Sequence, residues 1–455
     1  MANKTTVDQF MQSDYVDYAK YSIFERAIPS LTDGFKPTAR KIMHIALKHA
    51  KKKSMKVAAL GGYVMAEGKY QHGDTSLLGG ITAMAQKFNQ SLPYLNDEGQ
   101  YGSVYSPFAG APRYLETSIA NTFDLLFKDN DILNYQQVEG AQVEPKTYYP
   151  IIPTVLLNAQ EGIAVGYRTK ITNRNPHEIL DAVQYYLKHN ELDTNITFEP
   201  YVNGLIGHWR TFNDRYEHHG NMEVSNDTTV YVTGLAYGNT FESYEQHLNY
   251  LINVQVIKEW HSETDEHNAI KYKIVFSKES LAWQLKHDAL YKTLKMWSIV
   301  SKDTLTLIDI DGSIRTFDSV AQIIKIFVDW RLTIYNQRKI NLIAKLTDDK
   351  NKQLDIIKFI TLITDNIIVL HKLNKKVLTK ILREHDLHAD LINISIYNLT
   401  LSGITDAEHK LATINEQLEY ATNTTAKQMY TAELAELESK LPELMATHYT
   451  LDTDV

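Results

Sequence analysis

Apolar positions recur at three- and four-residue spacing through the first and last thirds of the chain, and in short alternating runs through the middle. The first spacing marks one face of a helix, the second a half-buried strand. Residues 8–30 read as helical, with Ile23, Ala27 and Ile28 near one face and Pro29 closing the segment. Asp33-Gly34 reads as a turn, and Pro37 stands where a helix starts. The helix from 37 to about 50 is expected to bury Ile42, Ile45, Ala46 and His49, and to leave Arg40, Lys41, His44 and Lys48 on the surface. A second helix is expected near 57–66. A third starts at Asp74, a good N-cap, and buries Leu77, Leu78, Ile81, Met84, Ala85 and Phe88. Pro112 is expected to open a fourth, with Leu115, Ile119, Phe123 and Leu126 inside. Short helices followed by a loop-rich segment suggest a helix-turn-helix or winged-helix module, which places a helix in a DNA groove.

From 174 to 317 the pattern changes to strands such as 229–232 and 270–276, mixed with helices such as 243–252. After Gly312 there is no glycine or proline until Gly403, which allows very long helices. Residues 321–346 and 354–370 are dense in apolar side chains. Leu411, Ile414, Leu418 and Ala421 keep helical spacing, as do Leu434, Leu437 and Leu441, which suggests antiparallel coiled-coil arms. A small helical knob is expected at about 372–410.

Composition narrows the class. The 455 residues are 44% hydrophobic and 22% charged, an ordinary globular balance. With no cysteine, disulfides, thiolate catalysis and cysteine-ligated zinc are excluded, and a reducing cytoplasm fits. No apolar run reaches membrane-spanning length. Net charge is −8, but residues 34–66 hold no Asp or Glu beside Lys36, Arg40, Lys41, Lys48, Lys51, Lys52, Lys53 and Lys56. A local basic face on an acidic protein suits a polyanion bound at one place; a solvated helix face is the plain alternative.

Lys69 and His72 stand among glycines just before the third helix, where backbone N–H groups bind phosphates. A lysine adds charge there, and histidine trades protons near neutral pH. The P-loop spacing is absent, so nucleotide binding at this point is rejected. Arg113-Tyr114 would lie in the first turn of the helix opened by Pro112, where the positive dipole end favours a phenolate and a phosphate. Tyr114 is one of 28 tyrosines, and a lone tyrosine is filler by default. A phenol must be activated before it attacks phosphorus, and a neighbouring guanidinium can clamp the non-bridging oxygens. The run from Leu307 to Gly312 contains an Asp-x-Asp-Gly that imitates a metal site; it reads instead as a hairpin with a two-residue Asp-Gly turn.

Several motifs occur in order: DGFKPTARK at 33–41, EGKYQHGD at 67–74, MAQ at 84–86, GQYGS at 99–103, PRY at 112–114 and YPIIPTVLLNAQEGIAVGY at 149–167. Together they resemble the breakage–reunion subunit of type IIA DNA topoisomerases, strongly over residues 15–180 and in layout beyond. PRY, YPIIP and YQHGD are nearer in wording to the eukaryotic and phage branches, and the chain resembles the medium subunit of a T4-type phage enzyme. The resemblance implies a multidomain α+β fold: an N-terminal helical arm (1–30), a winged-helix breakage–reunion domain (31–173), an α/β tower (174–318), and a long antiparallel coiled coil with a helical C-gate that dimerises (319–455).

It also implies roles. Tyr114 matches the nucleophile that forms a 5′-phosphotyrosyl bond, Arg113 the stabiliser beside it, and His72 the residue that contacts the reacting phosphate. Lys36, Arg40 and Lys69 match positions on the DNA backbone, and Ile163 matches an apolar wedge between base pairs; from pattern alone Ile163 is a buried strand residue. The family works as a two-fold dimer on double-stranded DNA. It uses Mg²⁺ held by a Toprim domain and ATP bound by an ATPase, both expected on a separate large subunit. Relaxation and decatenation are expected, without introduction of negative supercoils, since no β-propeller is seen. Thr75 and Gly79 stand where bacterial members offer a serine and an acid, which argues against the quinolone bridge. The competing readings are a non-catalytic DNA-binding scaffold and a bacterial topoisomerase IV subunit.

Overall fold

The computed structural model describes residues 6–138, 140–212, 215–264, 270–369, 375–388, 391–392 and 401–445. The chain forms two compact units, one of Met1–Trp330 with Glu433–Val455, the other of Arg331–Ala432.

The first unit opens with α1 (Val7–Gln12) and α2 (Asp14–Tyr21). α2 runs on into a π-helical turn, Ser22–Ala27, that buries Ile23 and Ala27. Pro29 ends it by forcing Ile28 into an extended conformation. α3 (Pro37–His49) begins at its proline as expected, but its buried face includes Arg40. Buried Asp33 draws it in, accepting from Arg40 Nε at 2.9 Å and Nη2 at 3.0 Å. Asp33 also accepts from the backbone N–H groups of Phe35 and Tyr148, so its carboxylate is the polar centre of a nest of rings. Phe35 packs there on Tyr94, Phe127 and Tyr148. His49, expected inside, is half-buried and stacks on Tyr63.

β1 (Met55–Lys56) leads into α4 (Val57–Glu67), and a loop leads to α5 (Asp74–Ala85). Gly73, not Asp74, is the N-cap of α5, and Phe88 lies beyond its end, half-buried. The helix expected from Pro112 does not form. Residues 111–114 make a turn closed by Tyr114 N–H on the Ala111 carbonyl, and β2 (Glu116–Thr117) pairs antiparallel with β1. The reason lies in α4: its leading N–H groups, on Val57 and Ala58, donate to the carbonyls of Leu115 and Pro112. Those carbonyls satisfy a helix start elsewhere and are lost to a local helix. Helix resumes only at α6 (Asn121–Leu126).

Hairpin β3 (Tyr135–Val138) with β4 (Ala141–Pro145) follows, then hairpin β5 (Gln160–Ile163) with β6 (Arg168–Ile171), then α7 (Pro176–His189). Beyond it come β7 (His208–Phe212), β8 (Arg215–His219), β9 (Met222–Val224), β10 (Thr229–Val232), α8 (Phe241–Asn253), β11 (Glu259–Ser262), β12 (Tyr272–Val275), α9 (Lys278–Lys286), α10 (Leu290–Thr293) and β13 (Trp297–Ser301). They build a four-stranded antiparallel sheet, β11-β12-β10-β9, and a three-stranded one, β13-β8-β7. Val230, Val232, Leu248, Ile274, Phe276 and Leu281 form the centre of its core. Fully buried Arg174 ties β8 to the segment after β13, paired with Asp303 and donating to Tyr216 Oη at 3.1 Å.

β14 (Thr306–Ile308) and β15 (Ile314–Thr316) form the hairpin expected from the sequence. Its turn differs: Asp309 N–H bonds to the Ser313 carbonyl, and Gly312 takes φ +83°. That is a three-residue loop with glycine in the left-handed region, not a two-residue turn.

α11 (Val320–Thr364) is one helix of 45 residues where the sequence suggests two apolar stretches. In the second unit it is followed by α12 (Lys375–Glu384), α13 (Leu401–Asn423) and the start of α14 (Ala426–Met445). Tyr335 stacks on Tyr430 at 4.7 Å, and Lys339 Nζ donates to the carbonyls of Thr422 and Thr424. Phe359 and Ile368 pack with Leu382, Leu387 and Leu391. Much of the expected knob at 372–410 lies outside the described residues.

Candidate functional site

A cleft of about 530 Å³ opens between the start of α3, the start of α5 and the π-helical turn, with Arg26, Lys36 and His72 on its wall. Its basic residues come from three separate segments. The Asp33 nest fixes the start of α3, and His72 stands just before Gly73, the N-cap of α5.

Lys36 does not project freely. Its Nζ donates to the Glu161 carbonyl at 2.6 Å, and burial pushes its pKa down, partly offset by the Glu161 carboxylate. Lys36 thus braces the β5–β6 hairpin against the cleft. The next residue, Gly162, lies flat on the backbone of the π-helical turn: a Cβ there would stand 2.1 Å from the Ala27 carbonyl oxygen. Held by these two contacts, the hairpin presents Ile163 with 76% of its surface exposed. Ile163 is therefore not the buried strand residue that its pattern suggests. An exposed isoleucine on a braced hairpin can enter a gap between stacked bases.

His72 is exposed, with Nε2 hydrogen-bonded to Tyr21 Oη at 2.8 Å and Tyr70 packed edge-to-face at 5.2 Å. Lys69 is exposed at φ +52°, a conformation uncommon for residues with a side chain. Arg40 is not available to a DNA backbone: its guanidinium is committed to Asp33, whose charge, working against burial, leaves its pKa raised.

Tyr114 stands at the end of the 111–114 turn, 70% exposed, with the Arg113 guanidinium 5.3 Å from its ring centre. The first-turn dipole argument fails, because no helix starts at Pro112. What the turn supplies is exposure and an adjacent cation. Tyr114 and His72 lie at opposite ends of α4. The Tyr114 turn meets its first residues, and His72 follows its last across a short loop. An 11-residue helix is roughly 16 Å long, so the two groups are brought in from opposite ends of α4. One chain therefore brings together Lys36, His72 and Ile163's hairpin, and separately Arg113 with Tyr114.

The sequence pattern does not single out Arg26 or Tyr21. Both belong to a segment that looks like plain helix, and the π-turn that aims them leaves no mark in the apolar spacing.

Among the described residues no three His, Asp or Glu side chains converge as a metal site. Asp309 accepts from Ile310 N–H and pairs with Arg315, while Asp311 accepts from Ser313. Those acids are hydrogen-bonded within the hairpin and form no cluster of three that would hold a magnesium ion. Nor is any helix of the described residues long and apolar enough to cross a membrane.

The family described as the A-type subunit of DNA gyrase and topoisomerase IV matches residues 26–438. The chain is 30% identical over 419 residues to DNA topoisomerase 2 of Plasmodium falciparum, covering 88% of this chain and 29% of that protein. It is 30% identical over 400 residues to DNA topoisomerase 2-alpha of Rattus norvegicus, covering 85% and 26%. The chain thus spans between a quarter and a third of these curated relatives. The crystal structure of the Plasmodium falciparum topoisomerase II DNA-binding, cleavage and re-ligation domain superposes with a TM-score of 0.87 at 27% identity, over 96% of this chain and 64% of that one. The chain belongs to the family of gyrase and topoisomerase IV A-type subunits, the breakage–reunion family of type IIA DNA topoisomerases.

Proposed function

We propose that this chain cuts and rejoins double-stranded DNA, with Tyr114 as the nucleophile. The observation that carries the reading is an exposed phenol beside a guanidinium on a closed turn. The phenol oxygen attacks phosphorus, the bond from phosphorus to the 3′ oxygen breaks, and the phenol's proton passes to that leaving oxygen. A 5′-phosphotyrosyl link and a free 3′-hydroxyl result. The exchange replaces one phosphodiester with another, so the 3′-hydroxyl can reverse it without outside energy. Arg113 meets the charge that builds on the non-bridging oxygens.

The separation of Tyr114 from His72 argues for two copies of the chain. In a two-fold dimer, Tyr114 of one copy can reach a phosphate held by Lys69 and His72 of the other, and each copy cuts one strand. Ile163 from each copy would wedge and bend the segment being cut.

No Mg²⁺ site converges among the described residues, and no step is drawn through Mg²⁺ or ATP. A Toprim domain and an ATPase would have to supply them, and supercoil relaxation and decatenation would depend on those parts. The wording of PRY, YPIIP and YQHGD supports a place near the eukaryotic and phage branches, of which the T4-type phage medium subunit, acting in the host cytoplasm, is the reading taken.

The test uses duplex DNA labelled at either end, Mg²⁺ and an ATPase/Toprim polypeptide, stopped with denaturant. A 3′-end label should stay on the protein, a 5′-end label should leave as free DNA, and Tyr114→Phe should abolish the adduct. Equal adducts from both proteins exclude Tyr114, and none from either favours a DNA-binding scaffold.

A further inference from the structure

His72 is held from two sides. Tyr70 packs against its ring edge-to-face at 5.2 Å, which fixes the plane, and Tyr21 Oη lies 2.8 Å from Nε2, which uses one of its two nitrogens. Tyr21 is the last residue of α2, and the π-helical turn that follows carries Arg26 into the same cleft. A π-turn is a costly local geometry and recurs where side chains need re-aiming. With Nε2 occupied, the nitrogen left for a phosphate is Nδ1.

We propose that Tyr21 is a positioning residue for His72. Its hydroxyl donates to Nε2 and holds the neutral imidazole in the Nδ1–H form. The direction follows from chemistry. A phenol O–H is a stronger donor than a neutral imidazole N–H, and the unprotonated imidazole nitrogen is a stronger acceptor than a phenol oxygen. The proton on one ring nitrogen is set by the bond that the other makes. His72 then meets a phosphate as a hydrogen-bond donor at Nδ1, not as a base. A donor at that point steadies a bound phosphate oxygen and leaves proton removal from Tyr114 to other groups. This deepens the cleavage reading and rests on it for its consequence, but not for its geometry.

The test is selective ¹⁵N and ¹³C labelling of histidine in the full chain, without DNA. Two-bond nitrogen–carbon correlations are read at the neutral limit of a pH series. The His72 signal is identified by its loss in His72→Gln. The wild-type chain should show His72 with its proton on Nδ1, and Tyr21→Phe should shift the population to Nε2–H. A wild-type His72 protonated on Nε2, or a tautomer unchanged in Tyr21→Phe, overturns the proposal. A second arm measures cleavage in the assembled enzyme. Tyr21→Phe should lower the yield of covalent adduct at least fivefold on duplex held at saturating concentration, and an unchanged yield overturns the functional half. If Tyr114 proves not to be the nucleophile, the tautomer result still stands by itself, so the two claims fail separately.

Discussion

Replacing Gly162 with alanine should unseat the Ile163 hairpin. The added methyl would stand 2.1 Å from the Ala27 carbonyl oxygen and 2.9 Å from its carbonyl carbon. A carbon–oxygen contact relaxes at about 3.3 Å, so the hairpin must retreat by roughly 1.2 Å. The obstacle is backbone, and no side-chain rotation relieves it. Alanine in place of glycine gains about 0.4–1 kcal/mol through the unfolded chain, but overpacking costs about 1–3 kcal/mol, so the clash wins. The same retreat pulls the Glu161 carbonyl from Lys36 Nζ, now at 2.6 Å. A displacement of that size near the reacting centre costs about 10²-fold in rate. The assay is end-to-end energy transfer across a duplex of about 30 bp, a length on which smooth bending is energetically costly. It is run beside adduct yield in the assembled enzyme. Gly162→Ala and Ile163→Ala should both lose bending, and both should bind straight duplex at low salt. A folded Gly162→Ala chain that bends and cleaves like the wild type would refute the view that this hairpin's seating carries the wedge.

Asp33→Ala should destabilise the first unit by about 3–5 kcal/mol by stranding the Arg40 guanidinium in the core, seen as an earlier midpoint in urea. Arg40→Ala should likewise cost stability while leaving the salt dependence of DNA binding unchanged, since Arg40 meets no phosphate; a shallower salt slope would return it to the DNA-binding set. His218 is buried, with the Tyr237 N–H donating to its Nδ1, and desolvation, with His208 and His219 nearby, pushes its pKa down to about 4. The unfolded chain binds that proton near pH 6.5 and the folded chain does not. His218 therefore contributes stability that is present above about pH 6.5 and is lost as pH falls toward 4, about 3 kcal/mol at most. His218→Gln should flatten that part of a stability–pH profile, and an unchanged slope would count against it.

The helices of the first third were legible because their apolar spacing and prolines agree with how they pack. α3 starts at Pro37, and α4 and α5 fall where the pattern puts them. The failures share one cause, partners that apolar spacing along the chain does not show. Leu115 and Ile119 have helical spacing, yet the Leu115 carbonyl accepts from Val57 of α4, and Ile119 donates to the Ala50 carbonyl and bridges to Leu95. Arg40 looks like one more cation in a basic run, yet the Asp33 carboxylate takes it inside. Ile163 looks like core, yet Lys36 and the flat face of Gly162 turn it outward. Of the candidate site, Tyr114, Arg113, His72 and Lys69 stand out in the sequence and are exposed. The division of that site between the two ends of α4 was not visible, because spacing along a chain does not measure distance across a helix.

The most direct measurement is the chemical identity of the residue that carries DNA. The trapped adduct is digested with nuclease and protease, and the peptide bearing the remaining nucleotide is sequenced by mass spectrometry. The account predicts a nucleotide joined through its 5′ phosphate to Tyr114. A nucleotide on any other residue of this chain, or a 3′-phosphate linkage, would contradict it.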